Sequence, residues 1–143
     1  MKKYYLAAVV ALMVIVVCSC GSNTEKTETS SGHTPAAKPS GADIYNRTCV
    51  ACHQADGQGL PNVYPPLAKS DYLSDKERAI TQVIKGSSGE IVVNGKTFNN
   101  TMPPQQLSDE ELASVLTYVY GNLGNSGGTV TPEEVKAVRA KIK

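Results

Sequence analysis

Four helix-start signals within about a hundred residues constrain the fold of this chain more than any other feature. In each, a Ser or Thr is followed three positions later by Asp or Glu, as in a capping box, where the hydroxyl accepts from a free backbone N–H and the acid reaches back. They are the segments Ser40–Asp43, Ser74–Glu77, Ser108–Glu111 and Thr131–Glu134. Pro132 also stands at a first helical position, where its missing N–H is not needed. The sequence therefore predicts an all-α domain of about four helices.

Apolar side chains at helical spacing support this prediction. One face follows the third signal and consists of Leu112, Val115, Leu116, Val119 and Leu123. Two shorter faces predict a helix that ends near Gly86 and a weakly apolar last helix that lies across the surface; they consist of Ile80, Val83 and Ile84, and of Val135, Val138 and Ile142. Between these helices, the Asn94-Gly95 pair predicts one small β-hairpin over residues 91–98.

The amino terminus has the layout of an export signal. Two lysines precede an apolar run from Leu6 to Val17, which is too short to cross a bilayer as a mature helix. The run ends in a segment that resembles a bacterial lipobox, where cleavage follows a small residue and the new terminal cysteine is acylated. Ser19 precedes Cys20 whereas bulky Val17 precedes Cys18, so Cys20 is the better lipidation site. A plain secretory signal with incidental cysteines is the alternative.

These features divide the chain into three parts. We interpret residues 1–19 as a lipoprotein signal peptide that is removed, residues 20–40 as a lipidated terminus with a flexible tether, and residues 41–143 as the folded domain. The tether has no large apolar side chain with which to order itself, and its His33 is interpreted as incidental. We expect an exported protein anchored to a membrane by its lipid, facing the periplasm or the cell exterior.

Charge and composition exclude some functions. The formal net charge of +1 implies no polyanion-binding surface, so nucleic acid is not an expected partner. Loss of Lys2 and Lys3 with the signal would leave 12 basic against 13 acidic side chains. The chain has no tryptophan and one phenylalanine, which makes a thin core that a large covalent cofactor could complete.

The sequence Cys49-Val-Ala-Cys52-His53 matches the attachment pattern of haem c. Two thiols three positions apart on a helical turn can each add across one haem vinyl group, and the next residue then places its imidazole under the iron. A thioredoxin-like redox pair would need a βαβ context. A zinc site would need a fourth ligand, and residues 41–143 hold no further Cys or His. We therefore predict one covalent haem c, with its iron, and His53 as proximal ligand.

Two downstream segments complete the predicted site. The glycines of the loop from Gly57 to Leu67 let its backbone pass close to a flat ligand, and a proline carbonyl there would accept from the outer nitrogen of His53; an ordinary surface loop is the alternative. Met102 is the sole methionine outside the leader and lies in an irregular stretch. Because Pro103 restrains it to extended backbone, we predict Met102 as the sixth ligand. A core methionine in a loop is the alternative.

In this order, the motifs resemble the class I mono-haem cytochromes c. The resemblance covers about residues 41–143 and rests on Cys49–His53, Gly57–Gly59, Tyr64–Leu67, Val93–Phe98, Met102–Pro103 and the helix from Ser108 to Tyr120. This part of the sequence is especially similar to bacterial cytochrome domains that are found alone or fused to copper nitrite reductases and quinoprotein dehydrogenases. The tail after Gly121, a Gly/Asn/Ser linker and an extra short helix, departs from that pattern, and its role stays open.

The resemblance implies a class I cytochrome c fold around one haem, with thioethers at Cys49 and Cys52 and with His53 and Met102 as axial ligands. It implies Pro65 as the carbonyl partner of His53, with Pro66 as the fallback. It also implies that two helices cross, the first holding Ile44 and Tyr45 and the second holding Val115, Tyr118 and Val119.

The expected function is transfer of single electrons between respiratory redox partners outside the cytoplasm. The expected partners are membrane-associated proteins such as an oxidase, a copper nitrite reductase or a dehydrogenase, and the carrier is expected to be a monomer and not an enzyme. A peroxidase, which needs a vacant sixth position and an acid–base pair, is one alternative. A gas or redox sensor, which needs a displaceable Met102 and an output domain, is the other.

Overall fold

The structure, a computed structural model that describes residues 38–142, contains five α-helices and one two-stranded antiparallel sheet. In chain order these are α1 (Gly41–Thr48), α2 (Val50–His53), α3 (Lys76–Lys85), β1 (Ile91–Val93), β2 (Lys96–Phe98), α4 (Asp109–Asn122) and α5 (Pro132–Lys141), with a 3-10 turn at Asp71–Ser74. The predicted all-α fold with one hairpin is confirmed. The helix beyond the four predicted is the single turn α2.

Three of the four predicted capping boxes are present, at the starts of α1, α4 and α5. The prediction that Ser74 caps α3 is wrong, because Asp75 is the N-cap and its carboxylate accepts from the Arg78 N–H at 3.1 Å. Ser74 instead closes the 3-10 turn, in which Leu73 is buried and its carbonyl accepts from the Tyr120 hydroxyl. Tertiary contacts at Leu73 therefore delay the helix start by one residue.

Helix α1 crosses α4 at close range, as the resemblance implied. Ile44 and Tyr45 are buried, and the rings of Tyr45 and Tyr118 lie 5.4 Å apart in a tilted pair. A Cβ on Gly41 would lie 2.9 Å from the Tyr118 Cβ and would overlap a carbonyl of α4. The glycine therefore lets the two backbones approach.

Helix α4 supplies the centre of the core, and α5 covers its outer side. All five residues of the predicted α4 face are buried: Leu112, Val115, Leu116, Val119 and Leu123. Helix α5 packs against both α3 and α4. Its Val135 is fully buried, so the last helix contributes to the core and does not merely lie across the surface.

The predicted hairpin is present, with Ile91 paired to Phe98 and Val93 to Lys96. Asn94 and Gly95 have φ values of 51° and 73°, the left-handed conformation that a two-residue hairpin turn of this kind requires at both positions. The Asn94 side chain and backbone also bond to Asp71, which fastens the turn to the segment before α3.

None of the helices in residues 38–142 has the length and apolar character needed to span a bilayer. The predicted signal peptide, the lipidation site Cys20, His33 and nearly all of the predicted tether lie outside the described residues.

Candidate functional site

The five predicted site residues of the folded domain line one apolar cavity: Cys49, Cys52, His53, Pro65 and Met102. The side chains around them are mostly apolar and come from α3, α4, the hairpin and the loops; they include Val83, Ile91, Val93, Phe98, Leu107, Val115, Leu116 and Val119. The structure therefore brings together residues that are up to 53 positions apart in the sequence.

Helix α2 and its N-cap, Cys49, place both cysteines and the histidine on one turn. The N–H of His53 donates to the Cys49 carbonyl at 2.9 Å. Both cysteines are free thiols and partly buried, and the Thr48 hydroxyl lies 3.4 Å from the Cys49 sulfur. Burial raises the pKa of the Cys49 thiol, with a smaller opposing effect from Thr48. The thiols thus stand beside the cavity in the spacing that the motif predicted.

The proximal side is organised around His53, whose Nδ1 lies 2.9 Å from the Pro65 carbonyl oxygen. A carbonyl only accepts, so Nδ1 carries the proton and Nε2 is the ring nitrogen available to a metal. Burial lowers the pKa of His53, and the bond to Pro65 opposes this in part. The neutral imidazole that burial favours is the form that ligates iron.

The backbone around Pro65 passes very close to the loop glycines. Gly59 has a φ of 67°, its N–H donates to the His53 carbonyl at 2.9 Å, and a Cβ there would lie 2.6 Å from the Pro65 carbonyl oxygen. After His53, the Gln54 carbonyl accepts from the Tyr45 hydroxyl at 2.7 Å. Burial raises the pKa of Tyr45 to about 12, so this donor stays protonated. Helix and loop therefore fix the histidine from both sides.

The distal side is organised around Met102, which forms an isolated antiparallel bridge with Ser87. Each of these two residues donates its N–H to the carbonyl of the other at 2.9 Å. The bridge follows Gly86, which ends α3 with φ 69° and ψ −170°, a conformation that only glycine adopts readily. A Cβ on Gly86 would overlap the Met102 carbonyl and lie 2.7 Å from the Pro104 nitrogen.

Gln82 is a site residue that the sequence did not single out. Its amide nitrogen lies 3.9 Å from the Met102 sulfur and also donates to the Ser87 hydroxyl. Its amide oxygen accepts from the Tyr72 hydroxyl at 3.2 Å. In the sequence Gln82 is a polar residue of α3 between Thr81 and Val83, and this pattern does not identify a contact with Met102.

The donors around the cavity fit haem c. Two thiols on one helical turn suit the two vinyl groups, the free imidazole nitrogen and the thioether suit the two axial positions of iron, and the apolar walls suit a porphyrin. Within residues 38–142, no three His, Cys, Asp or Glu side chains gather as the ligands of another metal ion. Fold and site together define a c-type haem protein.

Comparison with known proteins gives the family. Residues 39–122 match the family model described as cytochrome c, and the chain belongs to this family, whose members carry covalent haem c and transfer electrons. Cytochrome c-552 of Thermus thermophilus is 38% identical over 116 residues, which cover 73% of this chain and 78% of that protein. Cytochrome c-551 of Bacillus subtilis is 31% identical over 107 residues, or 71% of this chain and 80% of that one.

Cytochrome subunits of dehydrogenases are also similar. The fructose dehydrogenase cytochrome subunit of Gluconobacter japonicus is 31% identical over 108 residues. The match covers 70% of this chain but 22% of that subunit, so the likeness concerns one region of a longer protein. The resemblance to bacterial cytochromes, including those of quinoprotein dehydrogenases, is thereby confirmed.

Proposed function

We propose that this chain is a membrane-tethered, single-haem electron carrier, in which Cys49 and Cys52 form the thioethers and His53 and Met102 are the axial ligands. The observation that carries the proposal is the convergence of these four side chains on one apolar cavity, with His53 Nδ1 already bound to Pro65. Neutral nitrogen and thioether ligands on opposite sides are the usual pair of an electron-transfer cytochrome c.

The residues of the chain keep this ligand set constant while electrons pass. When bound, haem c supplies an iron that takes up and returns one electron. The Pro65 carbonyl orients the imidazole, the Ser87 bridge holds the Met102 backbone, and the Gln82 amide contacts the Met102 sulfur. The apolar walls keep water away from the ligands. A ligand set that does not rearrange allows rapid transfer in both directions.

A peroxidase or a sensor is the less favoured function. Either needs a sixth position that is vacant or easily opened, whereas Met102 is held by backbone and side-chain bonds. A peroxidase also needs an acid–base pair beside the iron, and His53 is the only histidine in residues 41–143. For these reasons we propose a carrier and not an enzyme.

The anchor and its tether are proposed from the sequence. Acylation of Cys20 would hold the protein on a membrane, facing the periplasm or the cell exterior, because diacyl or triacyl anchors bind stably. A flexible tether of about twenty residues, from Gly21 to the α1 N-cap Ser40, would span about 25 Å on average and roughly 70 Å when fully extended. The haem domain would then meet neighbouring proteins without leaving the membrane.

We further propose that a monomer shuttles between membrane-associated partners. The dehydrogenase cytochrome subunits among the relatives support a dehydrogenase as one partner. An oxidase and a copper nitrite reductase are the other candidate partners. The nearly balanced charge without residues 1–19 agrees with a carrier that relies on its anchor more than on long-range steering.

Two experiments test the proposal. Haem should stay with matured protein on a denaturing gel and through acid–acetone extraction, and Cys49→Ala and Cys52→Ala should each leave at most one thioether and lower the holoprotein yield. Haem that is extracted from correctly matured protein contradicts covalent attachment.

The second experiment tests the anchor. Wild type should fractionate with membranes and carry lipid on Cys20, and Cys20→Ser should not. Wild type that is wholly soluble and without lipid contradicts the anchor alone.

A further inference from the structure

The segment that follows α4 bonds to the loop beneath the proximal ligand. Asn125 is partly buried and uses both ends of its side-chain amide. Its oxygen accepts from the Ser70 N–H at 2.9 Å, and its nitrogen donates to the Leu67 carbonyl at 2.8 Å and to the Val119 carbonyl at 3.0 Å. One side chain therefore joins the loop to the end of α4. It lies beyond residue 122, where the family match ends.

Neighbouring contacts strengthen this junction. The Leu123 carbonyl accepts from the Lys69 N–H at 3.0 Å. The Leu123 side chain packs against Gly57, where a Cβ would lie 2.7 Å from it. The Gly57 carbonyl in turn accepts from the N–H groups of Leu67 and Ala68. Residues 123–125 thus hold the loop at residues 67–70 through hydrogen bonds and side-chain packing.

The same loop carries the carbonyl that accepts the hydrogen bond from the His53 ring. Pro65, whose carbonyl lies 2.9 Å from His53 Nδ1, is two residues before Leu67. The position of the Pro65 carbonyl therefore depends on how firmly residues 67–70 are held. Asparagine suits this junction because a single amide both accepts and donates twice. Its loss would leave the Ser70 N–H and the Leu67 carbonyl, both partly or fully buried, without these partners.

The rest of the tail keeps Asn125 in place. Thr117 on α4 exchanges two hydrogen bonds with Val130, since its hydroxyl donates to the Val130 carbonyl at 3.2 Å and accepts from the Val130 N–H at 2.9 Å. Lys76 donates to the Thr129 carbonyl at 2.7 Å. Helix α5 then buries Val135 and Val138. The linker is consequently fixed at both ends.

We propose that Asn125 is a positioning residue for His53, and that the tail after Gly121 serves as a clamp on the proximal loop. This inference rests on the proposed role of His53 as axial ligand. A carbonyl held firmly at Nδ1 raises the basicity of the imidazole, which favours the oxidised iron. Loosening the loop weakens that bond and shifts the equilibrium toward the reduced form, so the reduction potential rises.

Three variants of the matured protein test the proposal. Asn125→Ala should speed amide exchange at Ser70 by about tenfold or more, as expected when a buried hydrogen bond is lost. At a fixed electrode potential it should raise the ratio of reduced to oxidised protein by about threefold, the effect expected when one hydrogen bond is weakened. Thr117→Val removes the two bonds to Val130 that keep Asn125 in place, so it should raise the same ratio, but by less than Asn125→Ala does. Asn122→Ala removes one exposed hydrogen bond to the Tyr118 carbonyl. It should change neither the amide exchange at Ser70 nor the ratio of reduced to oxidised protein.

The outcomes are distinguishable. An Asn125→Ala protein that is less stable but keeps the wild-type potential overturns the positioning role. Wild type without the spectrum of histidine–methionine ligation overturns the proposed function itself. If Asn125→Ala does not mature, exchange in wild type decides: the Ser70 and Val130 amides should open together as one unit, and independent opening of Ser70 overturns the clamp.

Discussion

The proximal and distal sides of the cavity are fixed in different ways. His53 belongs to α2, is adjacent to Cys52, and its ring bonds to a loop that is itself held by Gly57 and Asn125. Met102 lies on an irregular segment whose backbone is held by the Ser87 bridge and whose sulfur is contacted by the Gln82 amide. His53 is therefore supported by many connected contacts and Met102 by a few. The sixth position should be the one that mutations open.

Both sides of the cavity contain a glycine that packs against a backbone carbonyl. At Gly59 and at Gly86 the backbone has positive φ and runs against the carbonyl of a key residue, Pro65 in the first case and Met102 in the second. A side chain at either position would have to displace that carbonyl. The two glycines therefore allow the sides to be perturbed separately by the same substitution.

The largest effect is expected from Met102→Ala, because residues 41–143 contain no second methionine to replace the ligand. The variant should lose the methionine–iron charge-transfer band and bind carbon monoxide or cyanide readily. Its reduction potential should fall by more than about 0.1 V, since axial ligands set haem potentials over roughly 0.8 V. Val92→Ala, at an exposed position of the hairpin, is the control. An unchanged spectrum and potential would exclude Met102 as ligand.

The two glycine variants should separate the sides of the site. Gly86→Ala should lower the free energy of unfolding by about 2 kcal/mol or more through backbone strain and should weaken the methionine–iron band. Gly59→Ala should also destabilise, but its band should persist while the potential changes. Gly95→Ala, at a positive φ with no atom nearby, should cost only about 1 kcal/mol. Denaturant titration and optical spectra measure these effects, and equal costs at positions 86 and 95 would refute the close approach to Met102.

The smallest effect is expected from Gln82→Leu, which removes the donor near the Met102 sulfur. A sulfur relieved of this bond donates more strongly to oxidised iron, so the potential should fall by roughly 40 mV, the equivalent of about 1 kcal/mol for one hydrogen bond. The exposed Gln106→Leu is the matched control. The same potential in both variants would mean that Gln82 does not act on the ligand.

Local patterns in the sequence predicted most of the fold. The face of α4 is buried as the spacing indicated, three capping boxes are formed, and Asn94-Gly95 makes the hairpin turn. The start of α3 was misplaced because Ser74 and Asp75 are both good N-caps, and the choice between them depends on Leu73 and Tyr120, 47 residues apart. Capping rules contain no information about such a contact.

The residues that line the cavity could be singled out where covalent spacing or a scarce residue type limited the options, as for Cys49, Cys52, His53 and Met102; their roles as haem ligands stay a prediction. The contacts of Gln82, Gly86 and Asn125 were not predicted because they depend on which groups of distant segments lie opposite these residues. Amphipathic spacing likewise predicted the apolar face of α5, but not that this helix packs against α3 and α4. These features become visible only when distant segments are brought together.

The optical spectrum of the matured ferric protein tests the central claim most directly. Ligation by His53 and Met102 predicts low-spin haem with a methionine–iron charge-transfer band that is lost in Met102→Ala and retained in Gln106→Leu. The spectrum should persist when cyanide is added at concentrations that saturate the Met102→Ala protein. A high-spin wild-type spectrum, or immediate cyanide binding by wild type, would contradict a carrier with both axial positions filled.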